Sequence, residues 1–124
     1  MSINQSIFIT TDAIVVAKEN KDNFVLLIKR LNEPFKNQWA FPGGFVDDDE
    51  LVVKACQREL KEETGLDLQV EQFNFLNYYD SLKRDPRSRT ISFAFVAEID
   101  KRVGVKGNDD ADEASWFSIY DLPE

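Results

Sequence analysis

The sequence predicts a mixed α/β domain in which β-strands flank one strong helix. Residues 7–17 and 24–31 are rich in β-branched and aromatic side chains and are separated by the polar turn KENKDN, as in an antiparallel strand pair. Residues 89–99 alternate with the period of a strand within a sheet. Residues 50–64 have helical periodicity and are followed by Gly65, a typical helix stop.

The composition limits the number of domains, the classes of binding partner and the catalytic mechanisms that are available. With 124 residues and 43% hydrophobic content, the chain is long enough for one domain and too short for two, so we expect a single domain over residues 1–124. The net charge of −8 argues against nucleic-acid and anionic-membrane partners. The chain has no histidine, which excludes Ser-His-Asp and Cys-His mechanisms. A general base must then be a carboxylate or, less favourably, a Lys or Tyr.

Cysteine usage and hydropathy indicate the compartment. The single cysteine, Cys56, cannot form an internal disulfide, which fits a reducing compartment. Its position predicts a small buried hydrophobe rather than a nucleophile. No run approaches the roughly 18 apolar residues of a membrane span, and the N-terminus lacks the pattern of a signal peptide. We therefore expect a soluble, cytoplasmic protein.

The helix predicted over residues 50–64 carries acids where a core face should be. At about 100° per residue, Glu59, Glu62 and Glu63 fall within the apolar arc of that helix. Buried carboxylates are costly unless they are paired, and like charges three and four residues apart repel one another. A divalent cation resolves both problems, and oxygen ligands without His or Cys favour Mg²⁺ or Mn²⁺. The alternative is a solvated acidic helix whose glutamates pair with Lys and Arg elsewhere.

The loop before this helix is marked by Pro42, Gly43 and Gly44, which follow a short predicted strand at residues 38–41. Glycines let a backbone approach a ligand closely because they have no Cβ. The alternative interpretation is a plain tight turn. Asp49 is well placed to cap the helix.

Basic and aromatic residues indicate candidate substrate contacts. Arg30 ends a predicted strand and faces either a phosphate or nucleobase pocket or solvent. A short strand is predicted at residues 68–76 and a polar loop at residues 77–88. Tyr78 and Tyr79 in that loop could stack a base, and one of the two is expected to lie in the core. A basic cluster suited to phosphate or carboxylate recognition follows. Its members are Lys83, Arg84, Arg87 and Arg89.

The C-terminal part combines an acidic loop with a last short strand at Trp116–Phe117. At least two of the loop acids are expected to lie in solvent. These acids are Asp109, Asp110, Asp112 and Glu113.

The stretch from Gly44 to Leu66 resembles the Nudix box with every specified position filled. The flanking residues Phe41-Pro42-Gly43 and the later strand pattern also fit, so the resemblance covers nearly the whole chain. It implies a Nudix-type α/β/α sandwich of the α+β kind with a mixed central sheet. It also implies Mg²⁺- or Mn²⁺-dependent hydrolysis of a nucleoside diphosphate linked to another moiety. The positions that carry the resemblance are Gly44, Glu50, Arg58-Glu59-Leu60, Glu62-Glu63 and Gly65-Leu66.

The resemblance also implies residue roles. Glu59 and Glu63 would ligate the metal, and Glu62 and the carbonyl of Gly43 would complete the site. Arg58, on the polar side of the helix, is expected to orient the box glutamates through a salt bridge, with Glu50 as its partner or as an outer ligand of the metal.

A later loop supplies one further carboxylate in the resembling family, as a metal ligand or as the base. Asp110 and Glu113 are the best-placed residues, and spacing does not choose between them. Glu59 is the alternative base.

The segment from Arg84 to Ser92 resembles a pattern in bacterial ADP-ribose pyrophosphatases. It implies hydrolysis of ADP-ribose to AMP and ribose 5-phosphate. The candidate substrate ligands are Arg84, Arg87 and Arg89 of this segment, together with Arg30 and Tyr79. One rival is a house-cleaning pyrophosphatase for non-standard nucleoside triphosphates. The other is a non-catalytic ADP-ribose-sensing module, against which the complete box and the lack of a basic surface count.

Family members often form homodimers and often continue into a C-terminal helix. The sequence does not show whether this chain dimerises. Because the chain stops at Leu122-Pro123-Glu124, either this member lacks that helix or the sequence ends before it.

Overall fold

The computed structural model describes residues 6–82, 88–107 and 111–123. Seven strands form one mixed sheet, and one α-helix packs against it. In chain order the elements are β1 (Ile7–Glu19), β2 (Asp22–Arg30), β3 (Trp39–Ala40), β4 (Gly43–Phe45), α1 (Val52–Thr64), a 3₁₀ turn (Val70–Gln72), β5 (Asn74–Tyr79), β6 (Arg89–Ile99) and β7 (Ala111–Ser118).

β1 and β2 form the predicted antiparallel hairpin, with Glu19 opposite Asp22. The two turn residues between them, Asn20 and Lys21, have φ angles of 54° and 70°. Two successive residues with positive φ give the turn a twist that matches the twist of the flanking strands. The hairpin prediction is therefore confirmed.

β1 also pairs in parallel with β6, from Ile7 opposite Arg89 to Ala17 opposite Ile99. The order across the sheet is β3-β2-β1-β6-β5, while β4 pairs with β1 and β7 pairs with β2. The sheet is mixed because β1 and β6 are parallel and the other pairs are antiparallel. The predicted mixed sheet is confirmed.

The core lies between α1 and one face of the sheet. Cys56 and Leu60 of α1 are buried against alternate residues of the central strands, such as Val15 and Phe95. Burial of such side chains supplies about 1.5–3 kcal/mol each. The helix ends as predicted at Gly65, whose φ is 80° and whose N–H donates to the carbonyl of Lys61.

The described residues contain this single α-helix, so only one helical layer of the implied sandwich lies within them. That helix is not long and apolar enough to cross a membrane, and the same holds for any other helical segment in the described ranges.

The prediction that Asp49 caps the helix is wrong. Leu51 occupies the cap position and makes no side-chain cap bond. A self-contained turn replaces the cap, because Glu50 N–H donates to the carbonyl of Asp47 and the Glu50 carboxylate accepts from Asp47 N–H.

The boundaries of two later strands also differ from the predictions. The strand predicted at residues 68–76 begins only at Asn74 and runs on to Tyr79, within the predicted loop. The reason is the 3₁₀ turn, in which the Gln72 side chain accepts a hydrogen bond from Gln69 N–H at 2.9 Å. β7 begins at Ala111, so Glu113 lies on a strand and not in a loop.

Candidate active site

A cleft of about 630 Å³ opens where β4, the second half of α1 and the sheet meet. Its size falls within the range of roughly 300–1,000 Å³ for small-molecule sites. Carboxylates, hydroxyls and two glycines form one part of its wall, and the loop after β2 forms another. The polar part includes Thr10, Asp12, Gly43, Gly44, Asp47, Glu59, Glu63, Thr90 and Ser92.

Glu63 is a buried carboxylate in this cleft, with 4% of its surface exposed. Its Oε1 accepts a hydrogen bond from the backbone N–H of Gly43 at 2.7 Å. The helical pattern placed an acid on the core-facing side of α1, and the structure shows that acid bonded to the loop before the helix. Burial of a carboxylate at the base of an open cleft is typical of a functional site.

The two glycines of β4 are required by close approaches within the protein. A Cβ added at Gly44 would lie 2.6 Å from the carboxyl carbon of Glu59. A Cβ added at Gly43 would lie 2.0 Å from the carbonyl oxygen of Thr11. The sequence suggested that the glycines let a ligand approach, whereas the described contacts are with α1 and β1. They allow β4 to lie directly on the glutamate-bearing helix.

Arg58 forms the predicted salt bridge with the box glutamates, and Glu50 is its partner. Nε donates to one oxygen of Glu50 at 2.7 Å and Nη2 donates to the other at 2.9 Å. Nη1 donates to Glu59 at 2.8 Å. The hydrogen bond from Arg58 holds the pKa of Glu50 below its ordinary value. The same bond raises the pKa of Arg58 above its usual range.

In the described ranges no three acidic, His or Cys side chains are arranged as a metal-binding cluster, and the ligand roles of Glu59, Glu62 and Glu63 stay a prediction. Two of these glutamates contact Arg58, which bonds to Glu59 and lies 3.3 Å from the half-exposed Glu62. Glu59 and Glu63 nevertheless line the same cleft beside the Gly43 backbone. These oxygen donors fit a hard divalent ion such as Mg²⁺ or Mn²⁺.

The predicted substrate residues separate into different places. Arg30 lines the cleft, and its Nε donates to the carbonyl of Pro34 at 2.7 Å. Tyr79 lies opposite Ser92 on the edge strand β5 and is 43% exposed, and Arg89 donates to the carbonyl of Asp80. Neither Tyr79 nor Arg89 is among the described residues that line the cleft. Arg84 and Arg87 lie outside the described residues.

The acids predicted to serve as an additional ligand or base are not found in the cleft. Glu113 lies opposite Lys29 in the sheet, with its carboxylate 3.9 Å from Nζ, and it is not among the described lining residues. Asp110 lies outside the part of the chain that the structure describes. Glu59 is therefore the predicted base that the structure places in the cleft.

Sequence reasoning missed the polar floor of the cleft. The hydroxyls of Thr10 and Ser92 are hydrogen-bonded to each other across the parallel β1–β6 pair. Asp12, two residues after Thr10, lies on the same face of β1 and is paired with Gly43 of β4. Polar residues at every second position of otherwise apolar strands were the available signal. That signal points to a shared floor only when the parallel pairing is known.

Comparison with known proteins places the chain in a family. The NUDIX domain family model matches residues 9–124. An ADP-ribose pyrophosphatase of Methanocaldococcus jannaschii is 47% identical over 106 residues, which are 84% of this chain and 60% of that protein.

Solved structures are similar over nearly the whole chain. A MutT/nudix family protein from Enterococcus faecalis has a TM-score of 0.89 and 34% identity, with coverage of 95% of this chain and 46% of that one. A bifunctional NMN adenylyltransferase/ADP ribose pyrophosphatase from Francisella tularensis, complexed with AMP and Mn ion, has a TM-score of 0.82 and 32% identity, with coverage of 95% and 36%. The chain spans less than two thirds of each of these three relatives. Since the family model covers nearly all of it, the chain belongs to the NUDIX domain family.

Proposed function

We propose that this protein hydrolyses ADP-ribose, a nucleoside diphosphate linked to a second sugar, to AMP and ribose 5-phosphate. The observation that carries the proposal is Glu63, a carboxylate that is 4% exposed yet lines an open cleft and accepts a hydrogen bond from the backbone N–H of Gly43. Two relatives that bear the name ADP-ribose pyrophosphatase support the choice of substrate.

We propose Mg²⁺ or Mn²⁺ as the cofactor, held by Glu59, Glu63 and the carbonyl of Gly43, with Glu62 joining from its half-exposed position. When bound, such an ion neutralises negative charge on a diphosphate. The chain itself carries a net charge of −8. Without neutralisation at the site, the glutamates would repel the substrate.

Glu59, Arg58 and Glu50 have distinct roles in the proposed reaction. Water attacks one phosphorus in line, the bond from that phosphorus to the bridging oxygen breaks, and the second phosphate leaves with the bridging oxygen. Glu59 takes the proton of the attacking water at its carboxylate. Arg58 holds Glu59 at 2.8 Å and is itself fixed by Glu50, so the base is positioned before the substrate arrives.

The proposal is tested with purified protein, Mg²⁺ or Mn²⁺ and a panel of ADP-ribose, NADH, diadenosine polyphosphates and 8-oxo-dGTP. We expect ADP-ribose to give the highest kcat/KM. Glu63→Gln and Glu59→Gln should each lower kcat/KM at least about 100-fold, because loss of a ligand should exceed the effect of losing an outer contact. Glu71→Gln, at an exposed position in the 3₁₀ turn, is the matched control.

Three outcomes would contradict the proposal. Unchanged turnover by Glu63→Gln would remove that residue from the site. A preference for 8-oxo-dGTP would favour a house-cleaning pyrophosphatase. Tight binding of ADP-ribose without turnover by the unaltered protein would favour a sensing module.

We also propose a cytoplasmic location, a lack of nucleic-acid and membrane partners, and a homodimer. The single buried Cys56 supports a reducing compartment. The net charge of −8 disfavours polyanionic partners. Light scattering on a sizing column tests the homodimer directly.

A further inference from the structure

The loop between β2 and β3 is tied to a single residue, Arg30. The backbone N–H of Arg30 donates to the carbonyl of Gln38, and the carbonyl of Arg30 accepts from the N–H of Asn37, both at 2.9 Å. The Arg30 side chain then reaches into the loop and donates from Nε to the carbonyl of Pro34 at 2.7 Å. The loop is therefore held at its base and near its middle beside the cleft that Arg30 lines.

Phe35 follows this anchor and combines two unfavourable features. Its φ is 64°, in the left-handed region that is rare for a bulky residue. The residue lines the cleft and is 49% exposed, so about half of a large apolar residue faces water. Strained backbone conformations persist where the surrounding structure imposes them, and they cluster at ligand sites.

Two of the three other aromatic residues of the cleft pack against rings within the protein. Trp39 packs edge to face against Phe117, with ring centroids 4.9 Å apart. Phe45 packs against Phe8 at 5.8 Å. For Phe35, the described part of the chain provides no ring–ring or cation–π contact.

Phe41 also lines the cleft, but it borders a separate apolar groove on the face of the sheet opposite α1, beside Ile14 and Leu27. Phe35 does not line that groove. Phe35 thus borders the cleft and not that groove, and within the described residues its ring is not packed against another ring.

We propose that the Phe35 ring is the platform on which the nucleobase of the substrate stacks, and that Arg30 is the residue that positions it. The inference rests on the proposed function, because that function supplies a nucleobase and places the diphosphate at Glu59 and Glu63. Every nucleobase has a flat π face, and bases stack on exposed aromatic rings. The base-stacking role that the sequence predicted for Tyr79 is here assigned to Phe35, since Tyr79 is not among the described lining residues of the cleft.

Direct binding of the two products tests the platform without relying on turnover. AMP contains the base and ribose 5-phosphate does not, so isothermal titration calorimetry with each, in Mg²⁺, isolates the stacking contribution. Phe35→Ala and Phe35→Gly should weaken AMP binding about tenfold and leave ribose 5-phosphate binding unchanged. Phe35→Tyr keeps the ring and should retain AMP binding.

Phe35→Gly also tests the strain. Glycine adopts a positive φ without steric penalty, so this variant should have a thermal midpoint at or above that of Phe35→Ala while it loses AMP affinity. If Phe35 served only to stabilise the loop, both variants would have lower thermal midpoints than the unaltered protein and unchanged AMP affinity, which would overturn the inference. A thermal midpoint of Phe35→Gly far below that of Phe35→Ala would overturn the strain at residue 35.

A double-mutant cycle with Arg30→Met tests positioning. If Arg30 acts through Phe35, each single change should raise KM for ADP-ribose with little effect on kcat, and Arg30→Met should weaken AMP binding little further once Phe35 is alanine. Additive effects would show that Arg30 contacts the substrate by itself, and would overturn its positioning role.

The same measurements separate this inference from the proposed function. Unchanged AMP affinity in the Phe35 variants, equal loss of both products, or no AMP binding by the unaltered protein would each overturn the platform. Phe35-dependent AMP binding by a protein that does not turn over ADP-ribose would uphold the platform and overturn the proposed hydrolysis. Turnover of ADP-ribose with a KM that does not depend on Phe35 would uphold the proposed hydrolysis and overturn the platform.

Discussion

The guanidinium of Arg58 binds both carboxylate oxygens of Glu50, with Nε 2.7 Å from one oxygen and Nη2 2.9 Å from the other. Nη2 also donates to the carbonyl of Phe45 at 3.1 Å, and Nη1 donates to Glu59. One side chain thus joins the end of β4, the turn before α1 and a glutamate of the cleft. A planar fork of donors suits this arrangement, because it can serve several acceptors in one plane.

Arg58→Lys keeps the charge and removes the fork. We expect a loss of about 1–2 kcal/mol in the free energy of unfolding, and a fall of about 10–100-fold in kcat, because Glu59 loses the contact that orients it. Urea denaturation and steady-state kinetics measure the two effects. Arg102→Lys, at an exposed pair with Glu19, is the matched control. Wild-type values for Arg58→Lys in both assays would contradict the role of the fork.

The Arg58–Glu50 pair should make stability depend on pH. The hydrogen bond from Arg58 lowers the pKa of Glu50 in the folded protein from an ordinary value of 4.5. The stabilisation is therefore complete above that value and is lost as the pH falls through the lower folded pKa. We expect Glu50→Gln to be less stable than the unaltered protein by about 1–2 kcal/mol near neutral pH.

Urea denaturation of both proteins between about pH 3 and about pH 7 measures this dependence. The difference in the free energy of unfolding should shrink as the solution becomes more acidic than the unfolded pKa of Glu50. A difference that stayed constant across the whole range would show that ionisation of Glu50 is not the cause.

Alanine substitutions at the two glycines of β4 should have different effects, one on stability and the other on turnover. Gly43→Ala places a Cβ 2.0 Å from a backbone oxygen of β1 that cannot move aside, so we expect a loss of about 3 kcal/mol in stability. Gly44→Ala meets the end of the flexible Glu59 side chain. That variant should fold but lose turnover, because Glu59 is displaced. Thermal midpoints and kcat for the two variants separate these effects, and full activity of Gly44→Ala would refute the close approach.

Cys56 should report on unfolding. The residue is fully buried, and burial raises the pKa of its thiol to about 12, so almost no thiolate is available to react. We expect a disulfide reagent to label the native protein only through opening of the structure, at a rate that rises with urea concentration. Immediate labelling in native buffer would contradict the burial.

Local patterns were sufficient for several elements. The bounds of β6, at Arg89 and Ile99, agree with the predicted strand because alternation depends only on neighbouring side chains. The Gly65 stop is local in the same sense. Glu59 and Glu63 could be singled out because a helical wheel compares residues on one element.

Features that depend on distant contacts were not predicted. The 3₁₀ turn before β5 is a local exception, because the Gln72 side chain accepts a hydrogen bond from Gln69 N–H and this bond competes with a strand. The role of Ser92 in the cleft floor depends on the β1–β6 register. The role proposed for Phe35 depends on the cleft and on the positive φ angle of this residue, and the sequence shows neither. Asp12 was overlooked for the same reason, because its neighbour Gly43 lies on another strand.

The parallel pairing of β1 with β6 has a consequence for how the site arises in time. Thr10 and Ser92, which are bonded in the floor of the cleft, lie 82 positions apart in the chain. At a synthesis rate of about 5–20 residues per second, about 4–16 s separate their appearance from the ribosome. The acidic helix can form earlier from local contacts, but the floor requires the closure of a long loop. A nascent chain thus presents its glutamates before the floor of the cleft can close beneath them.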